Sequence, residues 1–201
     1  MNIWETAYKT YLAVIDSDLP DKPMPPGHSK VKAHIEVTLD EDGNFICAVP
    51  LNFEVTVVPT TNASAGRTNG GAPHPLCDKL QYVAGDYDKY ITGRKSYFND
   101  HGKGKNKQKG YLSLLTQWAD YSGDPMLAAV KQYVEKRTLI SDLITSGIFQ
   151  DTADGLKWDV KEEPRNAYVR WVVNIPGLKE MYDNALQLYR HQGHHCRDPR
   201  S

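Results

Sequence analysis

Lys32-Ala33-His34-Ile35-Glu36-Val37-Thr38-Leu39 alternates polar and apolar side chains, then reaches Asp40-Glu41-Asp42-Gly43 and a second apolar run, Phe45-Ile46-Cys47-Ala48-Val49. A period of two predicts a strand with one face buried, and the acidic, glycine-ended tetrapeptide predicts a turn. Together they predict a hairpin, with Phe53 to Val58 as a third strand. These strands, with their acidic tip, are the expected sheet.

Outward from the hairpin the period changes. Ile3, Ala7, Tyr8, Tyr11, Leu12 and Ile15 form one helical stripe, and the proline-rich run Leu19 to Gly27 ends that helix in a stiff connector. On the other side, Tyr111, Leu112, Leu114, Leu115, Trp118 and Tyr121 recur at helical spacing. Pro125 opens a second helix running through Tyr133 and Val134, and a third covers Leu139 to Ile144 and stops at Ser146-Gly147. Ala167 to Ile175 reads as a returning strand ended by Pro176-Gly177, and a last helix is expected over Leu178 to Tyr189. The expected class is α+β, a small antiparallel sheet with segregated helices. The expected organisation is a sheet-containing domain at 1–110, a helical region with one returning strand at 111–190, and a disordered tail at 191–201.

The chain has 201 residues, 40% hydrophobic and 10% aromatic, enough to bury a substantial core. Its formal net charge of −1 hides an uneven distribution. Residues 1–58 carry 4 basic and 9 acidic side chains, residues 59–110 carry 9 and 4, and residues 111–190 carry 9 and 11. One basic segment in an acidic protein marks a local anion-binding face. Three cysteines, Cys47, Cys77 and Cys196, are too few and too odd for a full disulfide framework, which fits a reducing cytoplasm. Met1-Asn2-Ile3-Trp4-Glu5 lacks the features of a signal peptide, and no apolar run spans a bilayer, so no membrane partner is expected.

The basic segment opens with a loop, Pro59 to Pro75, built from glycines, hydroxyls and amides. One reading is a flexible surface loop. The other is recognition of duplex DNA, with Asn62 and Asn69 as amide readers and Arg67 as a bidentate donor. Arg94, Lys95, Lys103, Lys105, Lys107 and Lys109 follow, against the single acid Asp100. Those lysines read either as a solvated loop or as a track for a phosphate backbone. They lack interleaved aromatics, so single-strand stacking on that run is not expected.

Other chemistries fit poorly. Neither the loop nor Gly102-Lys103-Gly104-Lys105 closes with the Lys-Ser/Thr of a phosphate-binding loop, and no Gly-x-Gly-x-x-Gly follows a strand. His191, His194, His195 and Cys196 lack a second ligand pair, so no metal is expected. Ser64, His74 and Asp78 lie close in sequence, but spacing alone does not make a triad. A metal-dependent nuclease using Asp86, Asp88 and His101 is the least favoured reading. No catalytic residue and no cofactor is expected.

The run Arg67-Thr68-Asn69-Gly70-Gly71-Ala72-Pro73-His74-Pro75-Leu76-Cys77-Asp78-Lys79-Leu80-Gln81-Tyr82-Val83-Ala84-Gly85 resembles the large-subunit family of the type I-C (Dvulg subtype) CRISPR Cascade complex. Pro25-Pro26-Gly27-His28-Ser29 and Leu39-Asp40-Glu41-Asp42-Gly43 support the resemblance. It implies a non-enzymatic subunit whose N-terminal domain reads the protospacer-adjacent motif on double-stranded DNA, while guide pairing reads the rest. By the same resemblance Thr60, Thr61 and the loop as far as Asn69, with His74 and Lys79, lie nearest that motif. It also implies docking on the crRNA-containing complex and its neighbouring subunits. Family members continue into a C-terminal helical region that is expected to be missing here. The alternative is therefore a truncated mimic, an anti-CRISPR decoy that blocks assembly or DNA binding.

Overall fold

The computed structural model describes residues 3–15, 27–67, 71–104 and 107–175. The expected last helix, the tail and the histidine cluster lie outside the described residues, as do Asn69 and Lys105. Helix α1 covers Ile3–Ile15, and the expected hairpin is β1 (His28–Asp40) with β2 (Phe45–Pro59). A four-residue helix α2 (Asn62–Ala65) follows, then β3 (Asp78–Lys79), α3 (Leu80–Val83) and α4 (Tyr87–Tyr90). The helical stretch is α5 (Tyr111–Ser122), α6 (Pro125–Lys136) and α7 (Leu139–Thr145). The short hairpin β4 (Gln150–Thr152) and β5 (Gly155–Lys157), which carries no clear alternation, precedes the returning strand β6 (Tyr168–Asn174).

The class is α+β as expected, but the four-stranded sheet is mixed. Its order is β2-β1-β6-β3. β1 pairs antiparallel with β2 and parallel with β6, while β3 pairs antiparallel with β6. A parallel pairing needs a long crossover, and the chain between β1 and β6, with its three longer helices, supplies one. The expected second and third strands are a single strand, β2. Its register steps from Ala33↔Glu54 to Ile35↔Pro50, so two extra residues bulge on β2, where Phe53 takes a positive φ of 54°. Pro50, which cannot donate to a ladder, is accommodated on this outer strand.

Arg170 stitches the sheet across three strands. Its guanidinium reaches the Glu36 carboxylate at 2.6 and 2.7 Å, Glu54 at 2.9 Å and the Thr56 hydroxyl at 3.2 Å. The core on one side of the sheet joins Ile35, Val37 and Leu39 to Leu80, Tyr82, Leu115, Val130, Ile140 and Leu143. Each such side chain contributes about 1.5–3 kcal/mol by leaving water.

Helix ends follow local chemistry. The Asp124 carboxylate accepts from Met126 N at 2.8 Å and Leu127 N at 3.3 Å, with Pro125 at the first position of α6. The Asp86 carboxylate accepts from Ile140 N and Ser141 N at 3.2 and 3.0 Å, capping α7 from a distant loop. The β1–β2 turn packs on α6 so closely that a Cβ on Gly43, at φ 66°, would stand 2.4 Å from the Ala129 carbonyl oxygen. Among the described residues no helix is long and apolar enough to cross a membrane.

Candidate nucleic-acid interface

The small-residue loop is held by its own side chains. Thr61 Oγ1 accepts from Ser64 N at 3.1 Å while Ser64 Oγ accepts from Thr61 N at 2.9 Å, a reciprocal capping box on α2. Ser64 Oγ also lies 2.9 Å from His74 Nδ1, which ties the outgoing limb of the loop to the returning one. His74 N donates to Asp78 Oδ2 at 2.7 Å, and Lys79 N donates to Asp78 Oδ1 at 2.8 Å. Asp78 is fully buried and also accepts both arms of the Arg67 guanidinium. Arg67 Nη1 donates to the Ala72 carbonyl at 2.8 Å, and its Cζ stands 4.2 Å above the Tyr82 ring.

The returning limb is pinned from beneath as well. Tyr111 Oη and Trp171 Nε1 donate to the Leu76 carbonyl at 2.5 and 3.0 Å, and Tyr168 Oη donates to the Cys77 carbonyl at 2.9 Å. The Leu76 carbonyl thus accepts two side-chain bonds and the buried Cys77 carbonyl one. Burial pushes the Cys77 thiol up to about 12, so it stays protonated and inert.

Two of the expected DNA-contacting residues are engaged inside the loop. Arg67 is not a free bidentate donor, because its fork is already spent on Asp78 and its side chain is only 13% exposed. His74 is buried, not displayed. Burial holds its imidazole below the ordinary histidine value, against the pull of Asp78 and with the help of Arg67. Thr61 is a cap, and Thr60 donates its backbone N–H to the Gly27 carbonyl at 2.7 Å. The Lys79 ammonium lies 3.4 Å from Asn166 Oδ1. Of the expected readers among the described residues, Asn62 is the amide left exposed.

Ser64, His74 and Asp78 do come together, but not as a nucleophilic triad. Asp78 accepts from the main chain of His74 rather than from its ring, and Ser64 is 1% exposed with its oxygen serving the cap. The Asp86 carboxylate is engaged at the start of α7, and the His101 ring is engaged by Gln108 at 2.9 Å. Among the described residues no group of three or more His, Cys, Asp or Glu is placed to hold a metal ion.

The basic segment is a finger with a built base. His101 and Gln108 form an isolated antiparallel bridge, with backbone bonds of 3.0 and 2.8 Å. Arg94, Lys95, Lys103, Lys107 and Lys109 are exposed. Lys107 lies 3.4 Å from Asp100, Lys109 donates to Gln117 at 2.6 Å, and Lys95 Nζ sits 5.0 Å from the Tyr97 ring centre. Asp100 in turn accepts from Gly110 N at 2.9 Å and so anchors the finger's exit. The finger stands beside the loop, since a Cβ on Gly71 (φ 104°) would meet Gln108 Oε1 at 3.2 Å. With Arg67 neutralised inside, the positive surface of this region belongs to the finger.

Sequence reasoning missed Asp78, Tyr82, Tyr97 and Gln108 as the parts that build this arrangement. A lone acid eleven residues after a lone arginine was the available signal, and it is weak.

Residues 7–198 match the family model described as CRISPR-associated protein (Cas_Csd1). No curated protein matches the chain. The match spans nearly all of the sequence, loop and finger included, and the chain belongs to the CRISPR-associated Csd1 family.

Proposed function

We infer that this protein is a non-catalytic DNA-recognition component of a CRISPR Cascade complex. In this reading the loop of residues 60–79 reads the protospacer-adjacent motif of the target duplex, and the finger of residues 94–109 neutralises nearby phosphates. The observation that carries it is the adjacency of Gly71 and Gln108, which sets a braced loop with an outward Asn62 beside exposed lysines. An amide that approaches a base edge gives sequence discrimination, while ammonium groups on phosphates give affinity without it. Family membership supports the setting, a complex in which guide pairing reads the rest of the target. The outer strand β2, with Phe53 39% and Val55 63% exposed, offers the sheet's docking face to the neighbouring subunit at the guide RNA's 5′ end.

The test is a binding titration of the assembled complex on duplexes with varied flanking trinucleotides. Asn62→Ala, alone and with Asn69→Ala, is expected to cost roughly 1–3 kcal/mol of discrimination for each bidentate amide–base pair removed. Equal binding of every flanking sequence by the unaltered complex would refute motif reading. In a parallel interference assay, a fall in immunity on adding the chain to a complete system would point to the decoy role instead.

A further inference from the structure

The interactions around the loop and the finger close into a ring. From Arg67, stacked 4.2 Å above Tyr82, the path passes to Tyr97, whose ring lies 5.1 Å from that of Tyr82 at 22°. Tyr97 meets His101 edge to face, with centroids again 5.1 Å apart. His101 holds Gln108 through its ring and through both backbone bonds of the bridge. Gln108 abuts Gly71, and the neighbouring Ala72 carbonyl accepts from Arg67, where the path began. Tyr97 is itself fixed, since its N–H donates to the Gln81 carbonyl at 2.8 Å and its carbonyl accepts from Tyr111 N at 3.1 Å.

We propose that Tyr82 and Tyr97 are positioning residues that join the loop and the finger into one rigid body. This deepens the reading above and rests on it for its consequence at DNA. A motif that fails to seat the loop then also lifts the finger from the phosphates, so the finger's electrostatic affinity becomes conditional on sequence. Without the joint, the lysines would grip any duplex, since phosphate contacts carry no sequence information.

Tyr97→Leu keeps apolar bulk and removes the ring, whereas Tyr97→Phe keeps the ring. In the assembled complex, Tyr97→Leu is expected to lower discrimination between motif-bearing and scrambled duplexes by roughly 2- to 10-fold, the range of one aromatic pair. Binding to the scrambled duplex should be undiminished, and Tyr97→Phe should match the parent. Equal weakening on both duplexes, or no change in discrimination, overturns the proposal. A second readout needs no DNA: trypsin cleavage at Arg67 and at Lys103, which reports local opening. Tyr97→Leu should speed both cuts together, and Tyr97→Phe neither. Acceleration at one site alone would show two mechanically independent loops. If the parent complex ignores the motif, the reading above fails on its own, and the cleavage pattern still decides whether the rings join the two loops.

Discussion

Between Thr61 and Lys79 the chain turns Ser64, Arg67, His74 and Asp78 inward, whereas between Arg94 and Lys109 the described cations, Arg94, Lys95, Lys103, Lys107 and Lys109, face outward. Both stretches are rich in glycine and in hydrogen-bonding residues, and both read from the sequence as candidate DNA contacts. The difference lies in one buried carboxylate. Asp78 gathers the guanidinium of Arg67 and the main-chain N–H groups of His74 and Lys79, so the first loop is wired to itself. The finger has its acid, Asp100, at the exposed base, where it anchors Gly110 and leaves the lysines above it displayed. A loop that reads a sequence has to hold its shape before binding, while one that neutralises phosphates needs only charge within reach.

The contrast breaks hardest at Asp78. Asp78→Asn keeps the shape and removes the charge, leaving the Arg67 guanidinium buried without its counter-charge. Breaking one side of a buried ion pair costs about 3–5 kcal/mol. Chemical denaturation should show that loss, and Arg67→Lys should recover little of the native behaviour because an ammonium cannot bridge both carboxylate oxygens. Asp100→Asn, the corresponding change in the finger, is expected to cost well under 1 kcal/mol, as for exposed ion pairs. Similar losses for the two variants would erase the distinction between the regions.

Much of the scaffold was legible in the sequence because it is written in local periods. The alternation from Lys32 to Leu39 marks β1, Pro125 opens α6 beside its Asp124 cap, and the apolar run ending at Ile175 marks β6. The parallel direction of β6 was not legible, since period two is the same for both senses of pairing. Nor was the union of the second and third strands, because Pro50 looks like a break until its strand is known to be the outer one. The site was half legible. Lysines in a glycine-rich run advertise exposure, and those described are exposed. Arg67 and His74 advertise an interaction without saying with what, and their partners within the chain are Asp78 and Ser64. Electrostatic pairing across eleven residues has no period to betray it.

The finger side of the comparison sharpens with salt. Replacing Lys103, Lys107 and Lys109 by glutamine should leave folding stability within about 0.5 kcal/mol, as for surface changes away from special features. It should reduce the slope of log affinity against log salt by about 0.9 for each phosphate left without its lysine, uniformly across duplex sequences. Binding isotherms at three or four salt concentrations measure this. A sequence-dependent loss would move base reading from the loop to the finger.

The smallest expected effect tests whether the loop's inward wiring persists in solution. His74 is held below its ordinary value chiefly by burial, while the unfolded chain titrates near 6.5. Below about pH 6.5 the unfolded state therefore binds more protons than the folded one. The stability tied to a neutral His74 is whole above that pH and drains as the pH falls toward the folded value. The slope from one such group cannot exceed about 1.4 kcal/mol per pH unit. His34, also lowered chiefly by burial, drains in the same window, so the unaltered protein shows the two together. In His74→Gln the His74 share should be gone while the His34 share remains, and the difference between the two unfolding profiles from pH 7.5 to 5.5 isolates the loop, other titrating groups cancelling in the subtraction. Parallel profiles would mean that His74 titrates in the folded protein as it does in the open chain. An imidazole that titrates freely has water around it, and a His74 surrounded by water is not locked against Ser64.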